Sequence, residues 1–214
     1  MNQHKKKSAT STASHQVRII GGEWKRTPIT VISAEGLRPT PDRVRETVFN
    51  WIHHLIDGNW SRLRCLDLFA GSGALSFEAA SRGAQELLLV EAFTPAFQQL
   101  EQLKLKLKAN QIELKRGDAL VQAQNLMARG ERFDLIFLDP PFQQGFLEKI
   151  LPLCSQLILP GALVYVESGQ ALPLLDLDQP VPDWCAGWEC VRSDKAGQVY
   201  FHLLQRSENS SRAA

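Results

Sequence analysis

The sequence predicts an α/β domain on a doubly wound, mostly parallel seven-stranded sheet, with an antiparallel C-terminal strand and a small N-terminal hairpin and helix extension. Three observations predict it. From Arg64 to Ser168, five short apolar runs alternate with helical stretches, the order that builds parallel sheets. Those runs are continuous rather than alternating, as in strands covered on both faces. After them, "GWECVRSDKAGQVYFHLLQR" has two strands around an Asp194-to-Gly197 turn, and a closing hairpin must supply an antiparallel strand.

Taken in order, residues 1–16, "MNQHKKKSATSTASHQ", are basic and Ser/Thr-rich with no apolar stretch behind them, which predicts a disordered tail rather than a secretory signal. Residues 17–57 form the extension. "RIIGGEWKRTPITVI" is a small hairpin, and "RPTPDRVRETVFNWIHHLIDG" a helix capped by Thr40 with Pro41 at its first position. Val44, Val48, Trp51, Ile52 and Leu55 share one face and pack on the core. The core spans 58–206. "RCLDLFA" is a strand, followed by Gly-Ser-Gly and the helix "ALSFEAASRG", with Gly83 as its C-cap. "ELLLVEA" is the second strand, after which Thr94 caps and Pro95 opens a helix to about Asn110. "IELKRGDA", a helix from near Val121 to Arg129, "FDLIFLD", a helix around Gly145 to Gln156, and "GALVYVES" complete the alternation. Residues 207–214 form a second disordered tail.

The 214 residues suffice for one such domain and not for two large ones. No apolar run approaches a membrane span, so a cytoplasmic protein without a membrane partner is expected. Cys65, Cys154, Cys185 and Cys190 form no zinc-like spacing, which predicts reduced thiols and no metal. The net charge of +1 is uninformative, but its distribution is not. Residues 1–64 hold 11 Lys and Arg against 5 Asp and Glu; the remainder hold 13 against 18. A basic excess ahead of an acidic core suits a segment that faces a polyanion.

Doubly wound sheets bind ligands at the carboxyl ends of their strands. Here the first strand delivers Asp67 and then "FAGSGA", with Gly71 and Gly73 allowing close backbone approach. The second delivers Glu91, the third Asp118 and the fourth Asp139-Pro140-Pro141-Phe142. The dinucleotide fingerprint fails, because Ser76 stands where its third glycine would be, and the turn has no Lys or Arg for a pyrophosphate. An acid at that turn tolerates a cationic ligand such as a sulfonium bearing an ammonium group. Glu91 suits ribose hydroxyls and Asp118 an adenine amine.

Asp139-Pro140-Pro141-Phe142 suits chemistry on a delocalised amine. Such a nitrogen must pyramidalise to attack a methyl sulfonium. Two acceptors, the Asp139 carboxylate and the Pro140 carbonyl, favour that geometry, and the prolines stiffen the loop that aims them. Phe142 offers a face for a flipped-out base.

"LDLFAGSGALSFEAASRGA", "LLLVEA", "GDA" and "FDLIFLDPPF" resemble the class I S-adenosylmethionine-dependent methyltransferases of Rossmann-like fold that modify amino groups. "RIIGGEWKR" with "LRPTPDRVRETVFNWI" resembles, more particularly, the bacterial 16S rRNA guanine-N2 methyltransferases of RsmD type, over roughly Val17 to Arg206. The resemblance implies S-adenosylmethionine as cofactor. Asp67, Gly71 and Gly73 would line its methionine side, Glu91 its ribose and Asp118 its adenine, with Phe69 a further cofactor-binding residue and Thr40 at the cofactor mouth. Asp139, Pro140 and Phe142 would act on the target guanine. Arg18, Arg38, Arg43, Arg45 and Pro141 would meet RNA. It also implies 16S rRNA within a small-subunit particle and its proteins as partner, with the enzyme a monomer.

Four other readings compete. An adenine-N6 DNA methyltransferase shares the acid-Pro-Pro-aromatic loop but usually needs a separate target-recognition region. A protein-glutamine methyltransferase usually has Asn in place of Asp139. A vestigial RNA-binding protein need not keep Asp139. A nicotinamide dehydrogenase lacks its third glycine here, and His53 and His54 sit on a helix as surface residues rather than catalysts.

Overall fold

The computed structural model describes residues 15–31, 41–142, 145–176, 178 and 180–207. Both tails, in nearly their whole length, and the segment with Arg38 and Thr40 lie outside the described residues.

The extension begins with β1 (His15–Arg18) and β2 (Pro28–Val31), an antiparallel pair in which Val17 faces Ile29. Next comes α1 (Asp42–Leu55). The core then alternates β3 (Arg64–Asp67), α2 (Ala74–Ser81), β4 (Glu86–Glu91), α3 (Thr94–Leu107), β5 (Ile112–Arg116), α4 (Ala119–Ala128), β6 (Phe133–Leu138), α5 (Phe146–Cys154) and β7 (Ile158–Ser168). A hairpin of β8 (Trp188–Ala196) and β9 (Val199–Arg206) closes the chain. The sheet order is β5-β4-β3-β6-β7-β9-β8. β3 pairs in parallel with both β4 and β6, so strand order reverses beside it. β9 is the antiparallel member, inserted between β7 and β8.

Alternate residues of each strand feed two cores, which is what the continuous apolar runs are for. One contains Cys65, Leu89, Phe137, Tyr165 and Phe201 with α1, α2 and the β1–β2 hairpin. The other contains Leu66, Val90, Leu138 and Val166 with α4 and α5. On α1 the predicted face is present: Val44, Val48 and Ile52 are buried, while Trp51 stacks on Phe201 at 5.5 Å. Phe49 belongs to it as well, packed between Trp60 and Phe137.

Several helix ends differ from expectation by a residue or two. Pro41 occupies the cap position of α1 rather than its first turn, and Phe93 rather than Thr94 precedes α3. α4 starts two residues early because Asp118 caps it, accepting from the Val121 backbone N–H at 3.0 Å. β7 starts three residues before its predicted glycine, across an irregularity opposite Phe133 and Leu135. The final turn is tighter than predicted, confined to Gly197 and Gln198. All four cysteines are free thiols. Among the described residues no helix is long and apolar enough to cross a membrane.

Candidate active site

Asp67 ends β3 almost fully buried. Its Oδ2 accepts from the Ser76 hydroxyl at 2.5 Å and its Oδ1 from the Phe69 N–H at 3.2 Å. Burial outweighs those two bonds, and with the nearby Glu91 charge it pushes the Asp67 carboxyl up to about 7. Ser76 therefore does not stand for a lost glycine; it holds the acid. The turn above is shaped by its glycines. Gly73 has φ +80°, and a Cβ there would come within 2.7 Å of both Leu100 and Phe77. Gly71 has φ +51°, but a Cβ there would meet nothing nearer than the Phe69 oxygen at 3.9 Å. The space over Gly71 is open, as a ligand cradle must be.

Glu91 ties the next strand end to this turn. Its Oε2 accepts from the Gly71 N–H and its Oε1 from the Phe93 N–H, each at 2.7 Å. Phe69 lies half-buried against Phe146, edge-on at 5.3 Å. Asp118 is exposed, and one of its oxygens serves as the α4 cap. Two residues missed by sequence reasoning stand beside these acids: Phe93 and Val121 leave 47% and 50% of their surface exposed. An apolar residue within three positions of a strand-end acid was the available signal.

In the other half of the edge, Asp139 is half-buried, Pro140 buried, and Pro141 and Phe142 exposed. Removal from water, then the charges of Glu167 and Asp67, push the Asp139 carboxyl well above the usual carboxylate range. Parallel pairing of Phe137 with Tyr165 and Leu138 with Val166 brings Asp139 beside Glu167 just past the ladder. Phe142 lies against the chain at Gly169, where an added Cβ would sit 3.3 Å from its ring. Glu167, buried and accepting from the Tyr165 hydroxyl at 2.8 Å, was not expected from sequence. Its only signal was an acid two residues after a tyrosine near the end of an apolar strand.

The arginines divide. Arg18 is exposed and pairs with Asp42 at 2.8 Å, and Arg43 is exposed on α1. Arg45 is a correction: expected to meet RNA, it is completely buried. Its Nη2 donates to Asp42 Oδ1 at 2.6 Å and its Nη1 to the Arg18 carbonyl at 2.9 Å. Burial lowers its pKa, opposed by Asp42 and Glu78. It joins the hairpin to α1 and leaves no face for a phosphate. A second latch holds the hairpin to α2: Glu78, also buried, accepts from the Ile20 and Gly21 N–H groups at 2.6 and 2.9 Å and from Arg82 at 2.8 Å. Arg38 and Thr40 lie outside the described residues. His53 and His54 are exposed, and His53 Nδ1 accepts from the Trp60 indole at 3.0 Å.

The edge thus offers an open glycine turn with a buried acid on one side and an acid-proline loop on the other. The family model described as "Conserved hypothetical protein 95" matches residues 17–205. The chain belongs to that RsmD-type methyltransferase family. It is 39% identical over 206 residues to the ribosomal RNA small subunit methyltransferase D of Escherichia coli strain K12, covering 94% of this chain and 95% of that one. The Haemophilus influenzae protein of the same name is 37% identical over 207 residues, covering 94% and 99%. Among solved structures, yhhF from Escherichia coli is 38% identical with a TM-score of 0.71, covering 90% of this chain and 99% of that one. The SAM dependent methyltransferase from Agrobacterium tumefaciens, at 15% identity, 85% and 67% coverage and a TM-score of 0.63, shares the family's fold alone. The family assignment and the Rossmann-like class I fold agree with the resemblance drawn from the motifs.

Proposed function

We propose that this chain methylates the exocyclic N2 amine of a guanine in 16S rRNA, using S-adenosylmethionine, within small-subunit particles in the cytoplasm and as a monomer. The observation that carries the reading is the placement of Asp139, at the switch point of the sheet, next to an open glycine cradle. The residues fit the cofactor. Gly71 leaves room above the turn, and Asp67, short of compensating positive charge, gains from a cation beside it. Glu91 holds the turn with lone pairs remaining for hydroxyl donors, and Phe93 and Val121 present apolar surface near Asp118. When bound, S-adenosylmethionine supplies an electrophilic methyl group.

The chain's own part is orientation. The Asp139 carboxylate and the Pro140 carbonyl accept the two amine N–H groups, turning the nitrogen lone pair away from the ring. Phe142, exposed and braced on Gly169, stacks on the base. Arg18 and Arg43, both exposed, meet RNA phosphates. Most of the rate gain then comes from positioning and preorganised electrostatics.

Labelled S-adenosylmethionine should transfer methyl to small-subunit particles from a strain lacking this protein, and nucleoside digestion should return N2-methylguanosine. Label recovered as N6-methyladenine in DNA would select the adenine-N6 reading. Binding to the particles without any transfer would select the vestigial one.

A further inference from the structure

We propose that Glu167 is a positioning residue for this reaction, a second carboxylate that sets Asp139 to take the proton the amine loses; the proposal rests on the methyl-transfer reading above. The geometry comes from the ladder. With Leu138 paired to Val166, the next residues outward are Asp139 and Glu167, both on the sheet face that carries Phe137 and Tyr165. Glu167 is buried, and its Oε1 is held by the Tyr165 hydroxyl at 2.8 Å.

The proton balance gives it a task. The guanine amine enters with two protons and leaves with one, the methyl taking the place of the other. As the nitrogen lone pair forms the new N–C bond, the methyl–sulfur bond breaks with its electron pair left on sulfur as a neutral thioether, and the displaced proton passes to a carboxylate oxygen of Asp139 and then to water, restoring the carboxylate. A neighbouring negative charge raises the proton affinity of Asp139 and makes it a better acceptor. Asp67 adds a third negative charge from β3, and Tyr165 donates from β7. Arg45, backed by Asp42, brings positive charge from α1 to Tyr165. β9 sets an uncharged residue, Phe201, opposite Glu167.

On this proposal the acid limb of the rate profile belongs to both carboxylates. Two variants should move that limb in opposite directions. Glu167→Gln removes the like charge, so the limb should fall by about one pH unit, with kcat at neutral pH down about tenfold and KM unchanged. Tyr165→Phe removes the donor that favours ionised Glu167, so the limb should rise. Both are read as kcat and KM against pH on small-subunit particles, with S-adenosylhomocysteine binding and thermal unfolding confirming the fold. If Glu167→Gln does not fold, the upward shift in Tyr165→Phe decides. A role confined to packing would lower kcat without moving the limb, and an unmoved limb overturns the proposal. Failure of the wild-type chain to methylate the particles would overturn the methyl-transfer reading instead.

Discussion

The two halves of the sheet's carboxyl edge treat their acids differently. Around the glycine turn each acid is already engaged: Asp67 by Ser76 and the Phe69 N–H, Glu91 by the Gly71 and Phe93 N–H groups, Asp118 by the Val121 N–H. At the Asp-Pro-Pro-Phe loop, the charges acting on Asp139 are two further acids, Glu167 and Asp67. Binding calls for a surface fixed before the ligand arrives, and donors aimed at carboxylates fix it. Catalysis calls for charge that is relieved only when the reacting group is in place. The first half is satisfied and the second is poised.

The comparison breaks most sharply at Asp139. Replacing it with Ala should lower kcat by a hundredfold to a thousandfold, on the order of 3 to 4 kcal/mol of barrier. Affinity for S-adenosylhomocysteine should stay within a few fold, because the glycine-turn half keeps all its hydrogen bonds. Single-turnover kinetics with separate titration of the ligand checks both. A variant that turns over at the wild-type rate would remove the poised half from the account.

The next effect tests two arginines that stand two residues apart on α1. Arg45→Ala withdraws buried donors from Asp42 and from the Arg18 carbonyl and leaves a hole beside α1. It should cost about 2 kcal/mol of stability in denaturant unfolding. Arg43→Ala should leave stability unchanged while weakening binding to small-subunit particles and flattening its salt dependence. Equal loss of stability in both variants would contradict the division between a buried, structural arginine and an exposed one proposed to meet RNA.

That division also shows what the sequence could disclose. A strand followed by an acid is a local pattern, so Asp67, Glu91, Asp118 and Asp139 were legible, as was the sheet whose ends they occupy. Glu167 was not, because its proximity to Asp139 depends on the register of two strands rather than on any spacing within one. Arg45 was misplaced for a related reason. Helical periodicity marks Val44, Val48 and Ile52 as the inner face and leaves a charged neighbour to solvent by default. Only the docked hairpin, latched by Glu78 and Arg82, reveals that Arg45 is covered. Ser76 counted against a dinucleotide site by its failure to be glycine; its hydroxyl, bonded to Asp67, is the reason it is there.

The smallest effect probes the satisfied half, and it comes from protons. Asp67 has its carboxyl raised to about 7, chiefly by burial. Its neutral form therefore persists to near neutrality in the free protein, whereas a cationic ligand favours the ionised form. Binding must then expel a proton below pH 7, and S-adenosylmethionine should bind about tenfold more weakly at pH 6 than at pH 8. The effect on the unliganded fold has its own sign. A carboxyl whose folded pKa is raised contributes stability at low pH, and that contribution is lost as pH rises through about 7. Asp67→Asn cannot titrate, and it keeps an oxygen for the Ser76 hydroxyl. Its binding curve should lose this part of the pH dependence, any remainder belonging to the ligand's own amine. Calorimetric titrations of both proteins across that range make the comparison. If the two curves run parallel, Asp67 is ionised before the ligand arrives, and the glycine-turn half is more fully preformed than its burial implies.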